Sequence, residues 1–208
     1  MNRINVGIIG VSGYTGFELV KMLLSHPAFN LSYCANTEGA ATLSDLHPAL
    51  LGVCDMPVEK VDLERAASAC ELVFLALPHK TAMQTAKGLL EKGVKVVDLS
   101  ADYRLSAENY EAFYCEHEDT ENLSHAVYSI PELHGDKAAG ARLIANPGCH
   151  VTATLMALAP FLDVIDLSAP IFVDSKTGVS GAGKSPSSTV HYVSVNDNIN
   201  CYNIIKHR

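Results

Sequence analysis

The sequence has no apolar run approaching the roughly 20 residues that a membrane-spanning helix needs, so an α-helical membrane protein is excluded. It has no basic excess either. Lys and Arg number 15 against 23 Asp and Glu, a formal net charge of -8, and a general nucleic-acid binder needs a basic footprint that this chain lacks. Anionic small substrates stay open, because a local basic pocket suffices for them. The cysteines Cys34, Cys54, Cys70, Cys115, Cys149 and Cys201 include no C-x-x-C pair, and they read as reduced thiols of a cytoplasmic protein. The start, Met1-Asn2-Arg3-Ile4-Asn5-Val6, runs straight into strand-like sequence, so no signal peptide is expected. Internal repeats, low-complexity tracts and flexible linkers are missing too. What remains is 208 residues, 48% hydrophobic, which is material for one large domain or one domain plus part of another.

The stretch Asn146-Pro147-Gly148-Cys149-His150-Val151-Thr152 stands out. A strand-like run, residues 142–145, leads in, and an apolar helical run, residues 151–162, leads out. Pro147 and Gly148 break the chain between them, which sets Cys149 at or beside a helix N-terminus. Unpaired N–H groups and the positive end of the helix dipole favour a thiolate there. Cys149 is therefore the candidate nucleophile; the alternative is a small buried residue in a packed turn.

The other half of the chemistry lies at the start of the chain. Residues 4–11 read as a buried strand, Gly10-Val11-Ser12-Gly13-Tyr14-Thr15-Gly16 as a glycine-rich turn, and Phe17, Val20, Leu23 and Leu24 as one face of a helix. Strand, glycine turn and helix in that order suit a dinucleotide pyrophosphate, although the spacing is G-x-x-G-x-x-G. A second strand, 30–35, ends in Asn36-Thr37. Neutral residues where an acidic one would bind a ribose hydroxyl point to NADP, and Glu38 one place further keeps NAD open. Residues 39–57 read as irregular, with His47 a packed or solvated loop residue. A helix is expected at 62–69, a strand at 71–77 ending in Pro78-His79, a helix at 81–92 and a strand at 94–99. Alternation of this kind predicts a doubly wound parallel sheet of the α/β class.

The strand at 94–99 leads into Ser100-Ala101-Asp102-Tyr103-Arg104-Leu105. The Arg104 fork suits a carboxylate or phosphate of a ligand, or else a salt bridge to Asp98 or Asp102. The run Cys115-Glu116-His117-Glu118-Asp119 reads as a solvated acidic loop, and no metal site is expected. Residues 170–176 alternate apolar and polar and predict a strand. The loop Thr177 to Ser185 resembles a Walker loop only superficially; its Gly, Ser and Lys residues suit a phosphate, the alternative being a flexible glycine loop.

Together these stretches resemble the N-acetyl-gamma-glutamyl-phosphate reductases of arginine biosynthesis. The matching motifs are Gly10 to Gly16, Leu77-Pro78-His79, Asp98 to Leu105, Pro131-Glu132-Leu133, Asn146 to Cys149, and Gly178-Val179-Ser180-Gly181-Ala182-Gly183, in family order along nearly the whole chain. The resemblance implies a Rossmann-type NAD(P)-binding domain, residues 1–148, followed by the start of an α+β catalytic domain like that of semialdehyde dehydrogenases, residues 149–208. It implies NADPH as reductant, an N-acetylated acyl phosphate as substrate, Cys149 as nucleophile, and a homo-oligomer, dimer or tetramer. The expected cofactor contacts are Gly10, Ser12, Gly13, Tyr14, Thr15, Gly16, Asn36, Thr37, Leu77, Pro78, Ser180 and Gly181. The expected substrate contacts are Ser100, Arg104, Asn146, Lys184 and Arg208.

By resemblance the acid/base candidates are His207, which matches the first histidine of a Lys-His-Arg-His stretch, and the second histidine of that stretch, which would lie just after Arg208. Family members are longer, so the second histidine, further strands and a C-terminal helix are expected to follow Arg208. The family's Tyr-Pro after the cysteine is His150-Val151 here. Aspartate-semialdehyde dehydrogenase and a reductase of carrier-bound aminoadipyl phosphate share the chemistry and remain alternatives. A regulatory module that binds NADP without turnover is the non-enzymatic one.

Overall fold

The computed structural model describes residues 3–40 and 42–202. In chain order the elements are β1 (Ile4–Ile9), α1 (Tyr14–Leu24), β2 (Phe29–Asn36), α2 (Leu43–Leu46), β3 (Glu59–Lys60), α3 (Leu63–Ala69), β4 (Leu72–Leu75) and α4 (Thr81–Glu91). Then come β5 (Lys95–Asp98), α5 (Ala107–Phe113), α6 (Thr120–Leu123), β6 (Val127–Tyr128), α7 (Pro131–His134), β7 (Leu143–Ala145), α8 (Cys149–Leu158) and α9 (Tyr192–Val195). The strands form one sheet in the order β3-β2-β1-β4-β5-β7-β6, and every pairing is parallel. The strand order reverses between β1 and β4, the switch point at whose carboxyl edge such sheets bind ligands.

Both faces of the sheet are covered, as parallel strands require. Along β1, Val6 and Ile8 face a core shared with Val20 and Leu23 of α1 and Leu43 of α2. Ile9 faces the opposite core, with Val73 and Leu75 of β4, Met83 and Leu89 of α4, and Tyr110 of α5. Alternate residues of one strand thus serve two layers, which is why the strand sequences are apolar nearly throughout.

The helices start in different ways. Asp62 and Ser106 cap α3 and α5 with their side chains, and Thr42 and Asp45 form a reciprocal capping box on α2. That box places a helix inside residues 39–57, where the sequence pattern predicts irregular chain. Helices α1 and α8 instead start on Gly13 and Gly148, with no side-chain cap. Their first N–H groups stay open toward the carboxyl edge of the sheet.

Residues 170–176 form neither strand nor helix. An alternating pattern becomes a strand only where a neighbour completes its ladder of hydrogen bonds, and no described strand pairs with this segment. From α8 onward apolar side chains are largely exposed, Phe172 at 93%.

Candidate active site

The glycine turn is set by close packing. Gly10 has φ +99°, and a Cβ there would lie 2.3 Å from the Ala76 carbonyl oxygen. A Cβ on Gly16 would lie 2.3 Å from the Gly10 oxygen, so α1 packs directly against the end of β1. Gly13 differs. A Cβ there would meet nothing nearer than the Gly10 oxygen at 3.8 Å. The protein's own packing does not demand glycine at 13, whereas a phosphate approaching the backbone would. The first turn of α1 carries no acidic residue, and Tyr14 and Thr15 are exposed beside it. These features fit a dinucleotide pyrophosphate, held by backbone N–H groups and the helix dipole.

At the end of β2 the Asn36 side chain is buried, and its Oδ1 accepts from the N–H groups of Glu38 (3.0 Å) and Gly39 (2.6 Å). That oxygen is spent on the turn, which presents Thr37 and Glu38 on the surface. Leu77 is half-buried and Pro78 exposed where β4 runs out. Lys80 follows in the strained left-handed half of the map, φ +69°. Asp102 holds it there. That carboxylate accepts from the N–H groups of Lys80 (2.9 Å) and Met83 (2.8 Å) and from the Tyr110 hydroxyl (2.7 Å), so it caps α4 from another loop.

Ser100, an expected substrate contact, is buried. Its hydroxyl donates to Asp98 Oδ2 at 2.6 Å and accepts from the Asp102 N–H at 3.1 Å. Its side chain therefore organises the loop. Burial pushes the Asp98 carboxyl up to about 6, against the opposing pull of the Ser100 hydrogen bonds. The supposed solvated loop at 115–119 is corrected in part. His117 and Asp119 are buried, with His117 Nε2 donating to the Asp102 carbonyl at 2.8 Å and the Tyr103 hydroxyl donating to Asp119 at 2.7 Å. Pattern alone gave no signal for this, because the partners come from 15 or 16 residues upstream.

Arg104 hydrogen-bonds to neither Asp98 nor Asp102. Nε donates to the Asn146 carbonyl and Nη2 to the Leu99 carbonyl, both at 2.7 Å. Nη1 stands 3.2 Å from where a Cβ on Gly148 would be. The guanidinium thus ties the end of β5 to the β7–α8 loop. Burial lowers its pKa, while Asp98, Tyr114, Tyr128 and Cys149 around it act in the opposite direction. Asn146 turns its own amide to the Pro147 carbonyl at 3.0 Å.

Cys149 is the first residue of α8 and is exposed. The contrast with Cys34 is sharp: burial pushes that thiol up to about 12, and burial also raises Cys70. His150 lies 2.5 Å from Ser175 Oγ through Nδ1 and 2.7 Å from the Tyr202 hydroxyl through Nε2. Ser180 and Gly181 sit in an exposed 3-10 turn, residues 179–182. Lys184, expected on the substrate, donates to the Ser12 carbonyl at 3.3 Å and so lies beside the glycine turn. His207 and Arg208 lie outside the described residues.

Comparisons with known proteins bear on the family and the fold. Residues 5–141 match the family model described as semialdehyde dehydrogenase, NAD binding domain, and residues 149–208 match the semialdehyde dehydrogenase dimerisation domain. An N-acetyl-gamma-glutamyl-phosphate reductase of Sulfurovum sp. (strain NBC37-1) is 60% identical over 205 residues, 99% of this chain and 61% of that protein. The reductase of the same name from Sulfurimonas denitrificans is 60% identical over 208 residues, 100% of this chain and 62% of that protein. The chain thus spans about three fifths of the length of these curated relatives. Among solved structures, aspartate semialdehyde dehydrogenase II from Vibrio cholerae superposes with a TM-score of 0.63 at 18% identity, over 88% of this chain and 49% of that one. Aspartate semialdehyde dehydrogenase with NADP from Candida albicans gives 0.61 at 17%, over 78% and 47%. At such identities these two speak for the fold.

Proposed function

The chain belongs to the semialdehyde dehydrogenase family, and from that premise we propose that it acts as an NADPH-dependent reductase of N-acetyl-gamma-glutamyl phosphate in arginine biosynthesis. The observation that carries the reading is the place of Cys149. It is an exposed thiol at an uncapped helix start, one residue from the loop that Arg104 ties to β5. The identity to reductases of that name supports the substrate.

In this reading the Cys149 thiolate attacks the acyl carbon. A carbon–sulfur bond forms, the carbon–oxygen bond to phosphorus breaks, and inorganic phosphate leaves with the electron pair. Covalent catalysis divides one difficult displacement into two easier steps. The N–H groups at the start of α8 and the Arg104 guanidinium stabilise negative charge at the reacting group. Bound at the glycine turn, NADPH would supply the hydride that reduces the thioester carbonyl. Proton transfer then lets the carbon–sulfur bond break, freeing the aldehyde and restoring the thiolate. A histidine suits that transfer, with His207 the candidate in this sequence. Gly10, Ser12, Gly13, Tyr14, Thr15 and Gly16 would hold the pyrophosphate, with Lys184 beside them. Thr37, beside the turn that Asn36 holds, would receive the 2′-phosphate, and Leu77, Pro78, Ser180 and Gly181 would contact the rest of the cofactor.

The exposed apolar surface from α8 onward and the match to a dimerisation domain support a homo-oligomer, dimer or tetramer; the reading places it in the cytoplasm. Residues 1–148 and 149–208 serve as nucleotide-binding and catalytic parts. The test is phosphate-dependent oxidation of N-acetylglutamate semialdehyde with NADP, by the intact protein and by C149S. The reading expects turnover that C149S abolishes, and tighter binding of NADPH than of NADH. Faster turnover of aspartate semialdehyde, or activity that survives C149S, would overturn it.

A further inference from the structure

The glycine turn is braced from outside by His47, which sits between α2 and a 3-10 turn at Pro48–Leu50. His47 Nε2 lies 2.7 Å from the Val11 carbonyl oxygen. A carbonyl only accepts, so Nε2 carries the hydrogen and donates. The ring also stacks on Phe17 of α1, with centroids 4.6 Å apart and planes 19° apart. The imidazole is held by its own backbone as well. The His47 N–H donates to the Leu43 carbonyl at 2.9 Å, and its carbonyl accepts from the Leu50 N–H at 2.8 Å.

The consequence follows from peptide geometry. No cis peptide occurs among the described residues, so the Val11–Ser12 peptide is trans. In a trans peptide the N–H points opposite to the preceding C=O. Aiming the Val11 carbonyl at His47 therefore aims the Ser12 N–H away from His47. Among the described residues no protein acceptor takes that N–H. It belongs to the same turn in which Gly13 leaves room for a close approach. A loop peptide without such a brace is free to rotate, and a donor that points at a phosphate only part of the time binds it more weakly.

We infer that His47 is a positioning residue for dinucleotide binding, fixing the Ser12 N–H so that it donates to a phosphate of the bound nucleotide. The inference rests on the dinucleotide reading of the glycine turn and adds to it a residue from a loop some 35 positions away, Val11 and His47 being 36 apart in sequence.

The test is titration of the intact protein with NADPH, unaltered and as His47→Leu, His47→Gln and His47→Asn. Leucine keeps bulk and loses the donor; glutamine places an N–H at similar reach; asparagine is too short to reach Val11. The expected result is about tenfold weaker NADPH binding in H47L, the scale of one lost hydrogen bond. H47Q should recover most of that loss and H47N should not, with the KM for the acyl phosphate unchanged throughout. Should H47L fail to fold, the H47Q against H47N comparison carries the same contrast. Equal NADPH affinity in all variants, or losses in H47Q and H47N that are alike and follow their melting temperatures, would overturn the inference alone. An unaltered protein that binds neither NADPH nor NADH would overturn the dinucleotide reading and this inference with it.

Discussion

Replacing Asp102 by alanine tests whether the Ser-Ala-Asp-Tyr-Arg stretch is built for support as much as for chemistry. The carboxylate is fully buried and accepts from the Lys80 and Met83 N–H groups and from the Tyr110 hydroxyl. Removal leaves the Met83 N–H orphaned in a residue that is 1% exposed. Lys80 is exposed, so its N–H finds water, but its strained φ loses the bond that holds it. The Tyr110 hydroxyl keeps only a weak contact to Cys115 Sγ at 3.6 Å. Hydrogen bonds to a charged group contribute about 1.5–3 kcal/mol each, and the orphaned donor adds its desolvation cost. Allowing for rescue by water, D102A should cost about 3–5 kcal/mol, roughly 10 °C in midpoint for a chain of this size. D102N keeps one acceptor oxygen and should lose about half as much. Urea melts followed by circular dichroism read both variants, provided the slope stays constant. A D102A loss under about 1 kcal/mol would show that α4 and its entry turn stand without this cap, and the reasoning would fail.

Three further outcomes follow from the same geometry. Asp98 has its pKa raised from 3.8 to about 6, so its contribution is fully present below pH 3.8 and is lost as pH rises through 6; the stability of unaltered protein minus that of Asp98→Asn should fall by about 2 kcal/mol between pH 4 and 7, and a flat difference would refute the assignment. Gly16→Ala puts a Cβ 2.3 Å from the Gly10 oxygen and 2.7 Å from Val11 Cα, so it should both destabilise the chain by about 2 kcal/mol or more and weaken nucleotide binding; calorimetry and NADPH titration check this. Iodoacetamide mapped by mass spectrometry should label Cys149 well before Cys34 and Cys70, whose thiols are buried and raised; faster labelling of either buried thiol would contradict the structure.

The sequence by itself determined the alternation of strands and helices, because the period of apolar residues is a local property. Val6, Ile8 and Ile9 announce a doubly covered strand, and Gly10, Gly13 and Gly16 announce the turn after it, without reference to anything distant. It also placed Cys149 at a helix start, since Pro147 and Gly148 act on their own neighbourhood. What only the tertiary structure decided are the partners that meet across the sheet edge. Arg104 was legible as a fork, but not its choice of the Asn146 and Leu99 carbonyls over Asp98. His117 and Asp119 look solvated in sequence and are buried because Tyr103 and the Asp102 carbonyl fold over them. The pattern at 170–176 fails for the converse reason: strand formation depends on a neighbour, and alternation within one segment cannot supply it. The physical divide is between terms that act along a few residues of chain, which a sequence displays directly, and hydrogen bonds between loops 15 to 42 residues apart, which exist only once the sheet has brought its carboxyl edge together.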